Sequence, residues 1–364
     1  MDDYVDIGEV ALYEAFDNRY ARKEQRFGVE RDALTHVPVI DVSAFTGAST
    51  LAEREAVARD IRKACIDIGF FYITGHGFSK VELDDVNSIA TRFFELPEEA
   101  KMTVHSSKSK ASRGWVQTGG VNPSQSTEKT PDVKERYFIS NKAGGSGALD
   151  NSHNQWPSEA IAPGFERFMR AHIEKRITLT HQMVHAFALS LGLPEDYLDP
   201  MFTIPGITLA LNYYPAIEAE KLARTQWSFS PHTDYGSFTL LTQDKVGGLQ
   251  ARNCAGEWIE IPPIDGTFVV NIGDTMARWT NDLYASNLHR AMNTSGRARI
   301  SAAFFTMPNA DTLVECLPTC WGPDNPPRYD AVNAAEYNTA LVQQSHATGR
   351  PGISKSTAKR LATS

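Results

Sequence analysis

The second half of the chain is a series of short strand-like runs, and this pattern constrains the fold more than any other feature of the sequence. The runs are rich in Val, Ile, Thr and aromatic residues, and turn residues such as Gly247-Gly248 and Asp265-Gly266 separate most of them. They are Ile207–Tyr213, Ser237–Thr242, Gly248–Ala251, Trp258–Ile261, Thr267–Ile272 and Arg299–Met307. Many short strands at close spacing are typical of a β-sandwich or barrel.

The first half is richer in helical patterns. The longest runs from about Gly164 to Leu191, and it ends at Gly192 with Pro194 just beyond, as helices commonly do. We predict shorter helices over 51–68 and 80–96 and strands over 37–41, 69–75 and 135–139. The domain organisation that follows is one integrated unit with an N-terminal extension (1–35), an α/β region (36–160), a helix plus β-rich core (161–345) and a C-terminal tail (346–364).

Two polar segments interrupt the α/β region. Residues 106–131 are rich in Ser, Gly, Thr, Lys and Gln, and residues 142–158 are similar. Loops of this length are usually functional or disordered. We predict that the first could act as a lid that orders over a bound substrate.

Composition and charge exclude several classes of protein. The chain has 364 residues, 41% of them hydrophobic, and its formal charge is 36 − 44 = −8. No Lys/Arg stripe suggests a nucleic-acid partner, and no apolar run is long enough to cross a membrane. The acidic start Met1-Asp2-Asp3 is unlike a secretory signal, and four cysteines do not form a disulfide framework. We therefore expect a cytoplasmic protein, either a monomer or a dimer.

His232-Thr233-Asp234 is the strongest candidate metal-binding motif. Because alternate residues of a strand point to the same side, one imidazole and one carboxylate can converge on one point. His289, at the end of another short run, supplies a third ligand. Two histidines and one carboxylate on one face leave open positions, which suits Fe(II) that must bind a co-substrate and dioxygen.

A second group of polar residues could bind a carboxylate. Arg299 and Ser301 alternate on one strand, and a guanidinium can hold a carboxylate through two parallel hydrogen bonds. Asn212 and Tyr214 alternate at the end of another strand and could donate to the same group. The alternative for the first pair is that Arg299 forms a salt bridge and Ser301 is an ordinary surface serine.

Together these motifs resemble the Fe(II)/2-oxoglutarate-dependent dioxygenases, and more narrowly the isopenicillin N synthase-like branch. The resemblance covers about residues 36 to 345. In the second half it rests on Asn212–Pro215, His232–Asp234, Gly247–Gln250, Asn271–Asp274, Leu288–Arg290 and Arg299–Ser301. In the first half it rests on Pro38–Asp41, Gly69–Tyr72, Gly75–Gly77, Phe93–Pro97 and Arg113–Trp115.

The resemblance implies a mainly β fold with flanking helices, built on a double-stranded β-helix (jelly-roll) core. It implies that His232, Asp234 and His289 bind Fe(II). It also implies that Arg299 and Ser301, with Tyr214 and Asn212, bind 2-oxoglutarate. Dioxygen would be the second co-substrate and ascorbate a candidate reductant.

By the same resemblance the activity couples conversion of 2-oxoglutarate to succinate and CO2 with hydroxylation, desaturation or cyclisation of a small molecule, in specialised metabolism. Two alternatives stay open. One is a 2-oxoglutarate-independent iron oxidase of the same branch, of the isopenicillin N synthase or ethylene-forming type; Tyr214 favours the 2-oxoglutarate user. The other is a non-catalytic jelly-roll binding module, which the retained ligand set argues against.

The family's primary substrate packs over the iron, between the N-terminal loops and the strands that carry the ligands. Aromatic and basic residues of these segments are the candidates for the substrate pocket, although each aromatic residue could equally belong to the core. The candidates are Arg113, Trp115, Gln117, Phe229, Arg278, Trp279 and Phe305.

Overall fold

The computed structural model describes residues 31–118, 132–141, 153–216 and 228–348. Four sequence predictions therefore fall wholly or partly outside the described residues. They are the extension over 1–35, the lid over 106–131, the loop over 142–158 and the tail over 346–364.

Two β-sheets form the centre of the protein. The strands of the larger sheet are β1 (Val39–Asp41), β2 (Phe70–Thr74), β3 (Gly114–Val116), β4 (Glu135–Ser140), β5 (Gly206–Tyr214), β7 (Phe238–Gln243), β10 (Phe268–Ile272) and β12 (Arg299–Met307). Their order is β1-β2-β10-β7-β12-β5-β4-β3, and all neighbours are antiparallel except β1 and β2.

The strands of the smaller sheet are β6 (Phe229–His232), β8 (Leu249–Arg252), β9 (Trp258–Glu260) and β11 (His289–Ala291). Their order is β6-β11-β8-β9.

The two sheets face each other. Alternation along β7 shows this, because Leu240 belongs to the large core cluster with the helices, whereas Leu241 belongs to a second cluster with Leu249 and Ile259 of the smaller sheet. A cavity lined by residues of both sheets opens beside this second cluster. The predicted jelly-roll core is confirmed. A further hairpin of β13 (Leu313–Val314) and β14 (Val332–Asn333) lies outside the two sheets.

Helices α2 (Leu51–Asp67), α3 (Lys80–Phe94) and α5 (Phe165–Ser190) cover the outer face of the larger sheet. The other helices are α1 (Ser43–Thr46), α4 (Glu98–Met102), α6 (Asp274–Trp279) and α7 (Ala334–Thr348), of which the last two contact the β13–β14 hairpin. Helices α2 and α3 each begin at a capping box, Thr50 with Glu53 and Ser79 with Glu82, which satisfies backbone N–H groups at the helix start. No helix in the described part of the chain is long and apolar enough to span a membrane.

The long helices and most of the strands agree with the sequence predictions. The six strand-like runs after Pro205 are all strands, with no bound shifted by more than one residue. Strand β3 and helix α6 were not predicted, and of β6 and β11 only the ends at His232 and His289 were expected, because three to six residues are too few to show a period. Strand β6 also contains Pro231, a residue that normally argues against a strand.

Arg176 ties the long helix α5 to the larger sheet. Its guanidinium is fully buried and donates to the carbonyls of Leu240 and Ala302 and to Thr242 Oγ1, at 3.0, 3.3 and 3.1 Å. Burial lowers the pKa of Arg176 to about 9, so the group remains charged at neutral pH. Hydrogen bonds from a charged donor are worth more than neutral ones.

We predict that Arg176→Ala lowers the free energy of unfolding by about 3 kcal/mol, because it removes charge-assisted hydrogen bonds and leaves a cavity between helix and sheet. Urea unfolding followed by circular dichroism measures the effect. Arg167→Ala, at an exposed position of the same helix, is the control and should change stability by less than about 0.5 kcal/mol. Equal midpoints for the two variants would contradict the role given to Arg176.

Candidate active site

The three predicted metal ligands meet at one end of the smaller sheet. His232 is the last residue of β6 and lies directly opposite His289, the first residue of β11. Asp234 follows two residues after β6, and its Oδ1 is 3.9 Å from His232 Nε2 and 3.7 Å from His289 Nε2. The side chains of His232, Asp234 and His289 are only 11%, 5% and 9% exposed. Because their ligand atoms all lie within 4.8 Å of one another, this cluster could hold one metal ion.

Backbone carbonyls orient both imidazoles in the same way. His232 Nδ1 is 2.8 Å from the carbonyl oxygen of Ser230, and His289 Nδ1 is 3.1 Å from that of Asn287. Because a carbonyl oxygen only accepts, each Nδ1 must carry the proton. Each Nε2 is then left with a lone pair that faces Asp234, the arrangement that metal-binding histidines use.

The carboxylate of Asp234 is fixed by two side chains of the larger sheet. Its Oδ2 accepts hydrogen bonds from Thr239 Oγ1 at 2.6 Å and from Asn271 Nδ2 at 2.7 Å. Oδ1 remains directed at the two histidines. The carboxylate is therefore prepared to bind a metal through one oxygen, and Asn271 explains the asparagine of the Asn-x-Gly-Asp motif.

Gly273 of the same motif allows two chain segments to approach each other closely. A Cβ atom at this position would collide with the carbonyl oxygen of Gly236 and would lie 2.9 Å from that of Asp234. The backbone N–H of Asp274 donates to the same Asp234 carbonyl at 2.7 Å. The glycine is required by this contact, which holds the loop after β6 against the end of β10.

The donor set suits a divalent transition metal. Burial, together with the nearby His289 and Lys134, holds the pKa of His232 well below its usual value, so this imidazole is neutral at pH 7. A neutral imidazole is the form that binds a metal. Two imidazoles and one monodentate carboxylate on one side leave the other side for further ligands, as in non-haem iron oxygenases.

Arg299 offers an unsatisfied cationic donor in the same cavity. Its side chain is 1% exposed; Nε donates to the carbonyl of Gly247 at 2.6 Å and Nη2 to Gln243 Oε1 at 3.2 Å. Nη1 is buried and has no hydrogen-bond partner among the residues that the structure describes. Because an unpaired buried donor is costly, this nitrogen fits a carboxylate oxygen of a ligand.

The other three residues predicted to bind the carboxylate surround Arg299. Tyr214 pairs with Arg299 across β5 and β12, and Asn212 pairs with Ser301. The guanidinium carbon lies 4.8 Å from the centre of the Tyr214 ring, and all four residues line the cavity. Burial raises the pKa of Tyr214, which keeps its hydroxyl protonated and able to donate.

Two of the seven predicted substrate-pocket residues line the cavity. Phe229 stacks on the ring of His232 with the ring centres 3.9 Å apart, and Phe305 lies further along β12. The remaining five do not line it.

Trp115 and Trp279 are corrected to core residues, because both are almost fully buried in the cluster between sheet and helices. Gln117 is exposed and contacts His105, and Arg278 donates to the carbonyl of Asp330. Arg113 directly precedes β3 and, by strand alternation, is on the side of Trp115 rather than of the cavity.

A basic group next to Phe229 was not predicted from the sequence. Lys134 lies over the Phe229 ring and directly precedes β4, Arg136 lies within β4, and Asp132 precedes both. The alternation of Asp, Lys and Arg at every second position was the available signal, because such residues share one face of a strand. Thr239 and Asn271 were missed as partners of Asp234 since neither is distinctive in sequence.

Comparison with known proteins identifies the family. Residues 37–159 match the model described as non-haem dioxygenase in morphine synthesis N-terminal, and residues 207–308 match that of the 2OG-Fe(II) oxygenase superfamily. The 2-oxoglutarate-Fe(II) type oxidoreductase hxnY of Emericella nidulans is 33% identical, over 86% of this chain and 91% of that protein. A 1-aminocyclopropane-1-carboxylate oxidase of Dictyostelium discoideum is 31% identical, over 85% and 93%.

A solved structure agrees with these relatives. It is the crystal structure of a full-length Neurospora crassa protein in complex with alpha-KG, which superimposes with a TM-score of 0.77 at 31% identity and covers 88% of this chain and 98% of that one. The chain belongs to the Fe(II)/2-oxoglutarate-dependent oxygenases. It is an oxidoreductase whose cofactor is Fe(II) and whose co-substrate is 2-oxoglutarate.

We predict that Thr239→Val weakens metal binding by about 10-fold or more, since the change removes one hydrogen bond to Asp234 Oδ2 at nearly constant volume. Calorimetric titration with Co(II), a redox-stable substitute for Fe(II), measures the affinity. Thr178→Val, at an exposed site on α5, is the control and should bind Co(II) like the wild type. Unchanged affinity in Thr239→Val would show that the hydrogen bond does not orient the ligand.

Proposed function

We propose that this protein oxidises a small molecule of specialised metabolism at an iron held by His232, Asp234 and His289. The oxidation is a hydroxylation, a desaturation or a cyclisation, coupled to conversion of 2-oxoglutarate to succinate and CO2. Arg299, Ser301, Tyr214 and Asn212 bind the carboxylate of 2-oxoglutarate that lies away from the metal. When bound, the iron supplies the oxidising chemistry; the protein supplies orientation and a shielded cavity.

The buried Nη1 of Arg299 is the observation that carries this proposal. Gly247 and Gln243 fix the rest of the guanidinium, so Nη1 keeps one direction. The metal cluster and Arg299 line the same cavity, so a dicarboxylate can reach both. A preformed site of this kind limits the entropy that is lost when the co-substrate binds.

The cavity wall between these groups is largely apolar. Phe70, Leu241, Leu249, Ala303 and Phe305 contribute to it from both sheets. Apolar walls exclude water, which strengthens each electrostatic contact inside and prevents side reactions. A hydrogen-abstracting oxidation requires such protection, and this supports an enzymatic role over the non-catalytic binding module.

The relatives support a small-molecule substrate. The Neurospora crassa protein has been crystallised with alpha-KG and thymine, and the Dictyostelium relative is named for oxidation of 1-aminocyclopropane-1-carboxylate. The second relative also favours a competing function, an iron oxidase that does not consume 2-oxoglutarate. The carboxylate site around Arg299 and Tyr214 supports the 2-oxoglutarate user instead.

We predict that the protein, Fe(II) and 2-oxoglutarate give a weak visible charge-transfer band when mixed without oxygen. Arg299→Gln should raise the concentration of 2-oxoglutarate needed for half of this band by about 100-fold, since it removes the charged partner of a buried carboxylate. Arg297→Gln, nearby but not in the cavity, is the control. Absence of the band while Fe(II) still binds would favour the competing oxidase.

Succinate formation separates the three candidate functions. The wild type should produce succinate from 2-oxoglutarate under oxygen, and His232→Ala should produce less than about 1% as much, because the metal loses a ligand. An oxidase of the competing type would consume oxygen without making succinate. A binding module would do neither, and either result would refute the proposed function.

A further inference from the structure

The carboxylate of Asp274 bridges two buried hydroxyl groups close to the candidate metal ligands. Its Oδ1 accepts a hydrogen bond from Ser286 Oγ at 2.6 Å, and its Oδ2 accepts one from Thr233 Oγ1 at 3.1 Å. Asp274 is the last residue of the Asn-x-Gly-Asp motif and the first residue of α6. Because hydrogen bonds to a charged acceptor are stronger than neutral ones, this bridge connects the two hydroxyl groups at a defined distance.

Thr233 belongs to the segment that carries two of the candidate ligands. It lies between His232 and Asp234 and is 3% exposed. Strand β6 ends at His232, so Asp234 lies outside the strand. Asp274 holds this segment twice, because its carboxylate binds Thr233 and its backbone N–H donates to the Asp234 carbonyl at 2.7 Å. The position of the two ligands therefore depends on Asp274.

Ser286 belongs to the segment that leads to the third candidate ligand. It is fully buried and lies three residues before His289. The residue after it, Asn287, supplies the carbonyl oxygen that orients His289 Nδ1. Since these residues before β11 are not part of a strand, side-chain contacts hold them in place. A shift of Ser286 would move the Asn287 carbonyl and with it the imidazole of His289.

The pairing of β6 with β11 also joins the two segments, but this pairing is irregular next to His289. His232 lies opposite His289, whereas Phe229 lies opposite Ala291, so the register shifts between these two pairs. A shift of this kind disrupts the ladder of hydrogen bonds locally. The bridge through Asp274 gives the two segments a second connection, on the side of the larger sheet.

A carboxylate at the start of a helix also has a simpler explanation, because the N-terminal end of a helix attracts negative charge. That effect requires no particular partners, whereas both oxygens of Asp274 accept hydrogen bonds from residues adjacent to candidate ligands or to Asn287. The other end of the motif is directed at the same ligands, since Asn271 donates to Asp234 Oδ2. These contacts favour a positioning role over a general charge effect.

We propose that Asp274 is a positioning residue for the iron site, which links the segment of the first two metal ligands to the segment of His289. It does not contact the metal; it acts through Thr233 and Ser286 and sets the separation of the two imidazoles. The inference rests on the proposed function, since it takes the three candidate ligands as the ligands of iron. A fixed separation keeps them on one side of the metal and leaves the other side open.

A double-mutant cycle tests this link. Thr233→Val and Ser286→Ala each remove one hydroxyl group with little change of volume, and calorimetric titration of the metal-free protein with Co(II) measures the affinity. Because the two contacts act in series, each single variant and the double variant should all bind Co(II) about 10-fold more weakly than the wild type. Independent contributions would instead multiply to about 100-fold in the double variant, which would overturn the inference. Wild-type affinity in both single variants would also overturn it.

The visible spectrum of bound Co(II) distinguishes a positioning role from a merely structural one. At saturating Co(II), Asp274→Asn should change the position or intensity of the absorption bands, because an amide offers one acceptor atom where the carboxylate offers two. A spectrum like that of the wild type would contradict the proposal, since a loss of stability alone does not alter the loaded site. Thr233→Ser keeps the hydroxyl group and should retain the wild-type spectrum. Should Asp274→Asn fail to fold, the spectra of Thr233→Val and Ser286→Ala decide in its place.

Glu98→Gln is the matched control. Glu98 is exposed and lies in the first turn of α4, so this change removes an acidic charge from the start of another short helix. Its Co(II) affinity and spectrum should equal those of the wild type. An effect as large as that of Asp274→Asn would show that charge at a helix start, and not the bridge, is responsible.

His232→Ala, titrated in the same way, separates failure of this inference from failure of the proposed function. If His232→Ala and the wild type bind Co(II) equally, His232 is not a ligand and the proposed function fails at its metal site. If His232→Ala binds far more weakly while the Thr233 and Ser286 variants bind like the wild type, the metal site stands and the role given to Asp274 is wrong.

Discussion

The hydrogen-bonded carboxylate of Asp234 is the contact on which the candidate active site depends. Asp234 follows a strand of the smaller sheet, and its Oδ2 is held by Thr239 and Asn271 of the larger sheet. The candidate metal cluster is therefore located where the two sheets meet, and its geometry depends on their relative position. Any change that separates the sheets would also separate the ligands, which couples metal binding to folding.

The cavity brings the candidate metal ligands and Arg299 of the larger sheet into one space. Asn212 and Tyr214 of β5 lie next to Arg299 because β5 pairs with β12 in this register. A metal cluster and a cationic group that are held at fixed positions would give the co-substrate two anchors at a constant separation, which reduces the entropic cost of orienting it.

Most helices and strands were predictable because the residue pattern within each segment agrees with the structure that the segment adopts. The helices over 51–67, 80–94 and 165–190 have apolar residues at helical spacing, and the first two begin with capping residues. The sequence placed His232 and His289 at the ends of strands, but the bounds of β6 and β11 could not be predicted, since strands this short are stabilised by their partners rather than by their own sequence. Trp115 and Trp279 were misplaced because an aromatic residue in a core and one in a pocket have the same local pattern.

The sequence by itself determined the β-rich core, the candidate metal ligands and the residues around Arg299, because these depend on residue type, order and strand alternation. The tertiary structure decided which oxygen of Asp234 faces the histidines, which aromatic side chains reach the cavity, and that Lys134 lies over the ring of Phe229. These features depend on the pairing of strands distant in sequence, such as β4 with β5 and β6 with β11. The register between two paired strands is fixed only when both strands pack into the folded sheets, because it depends on the two strands together and not on either one alone.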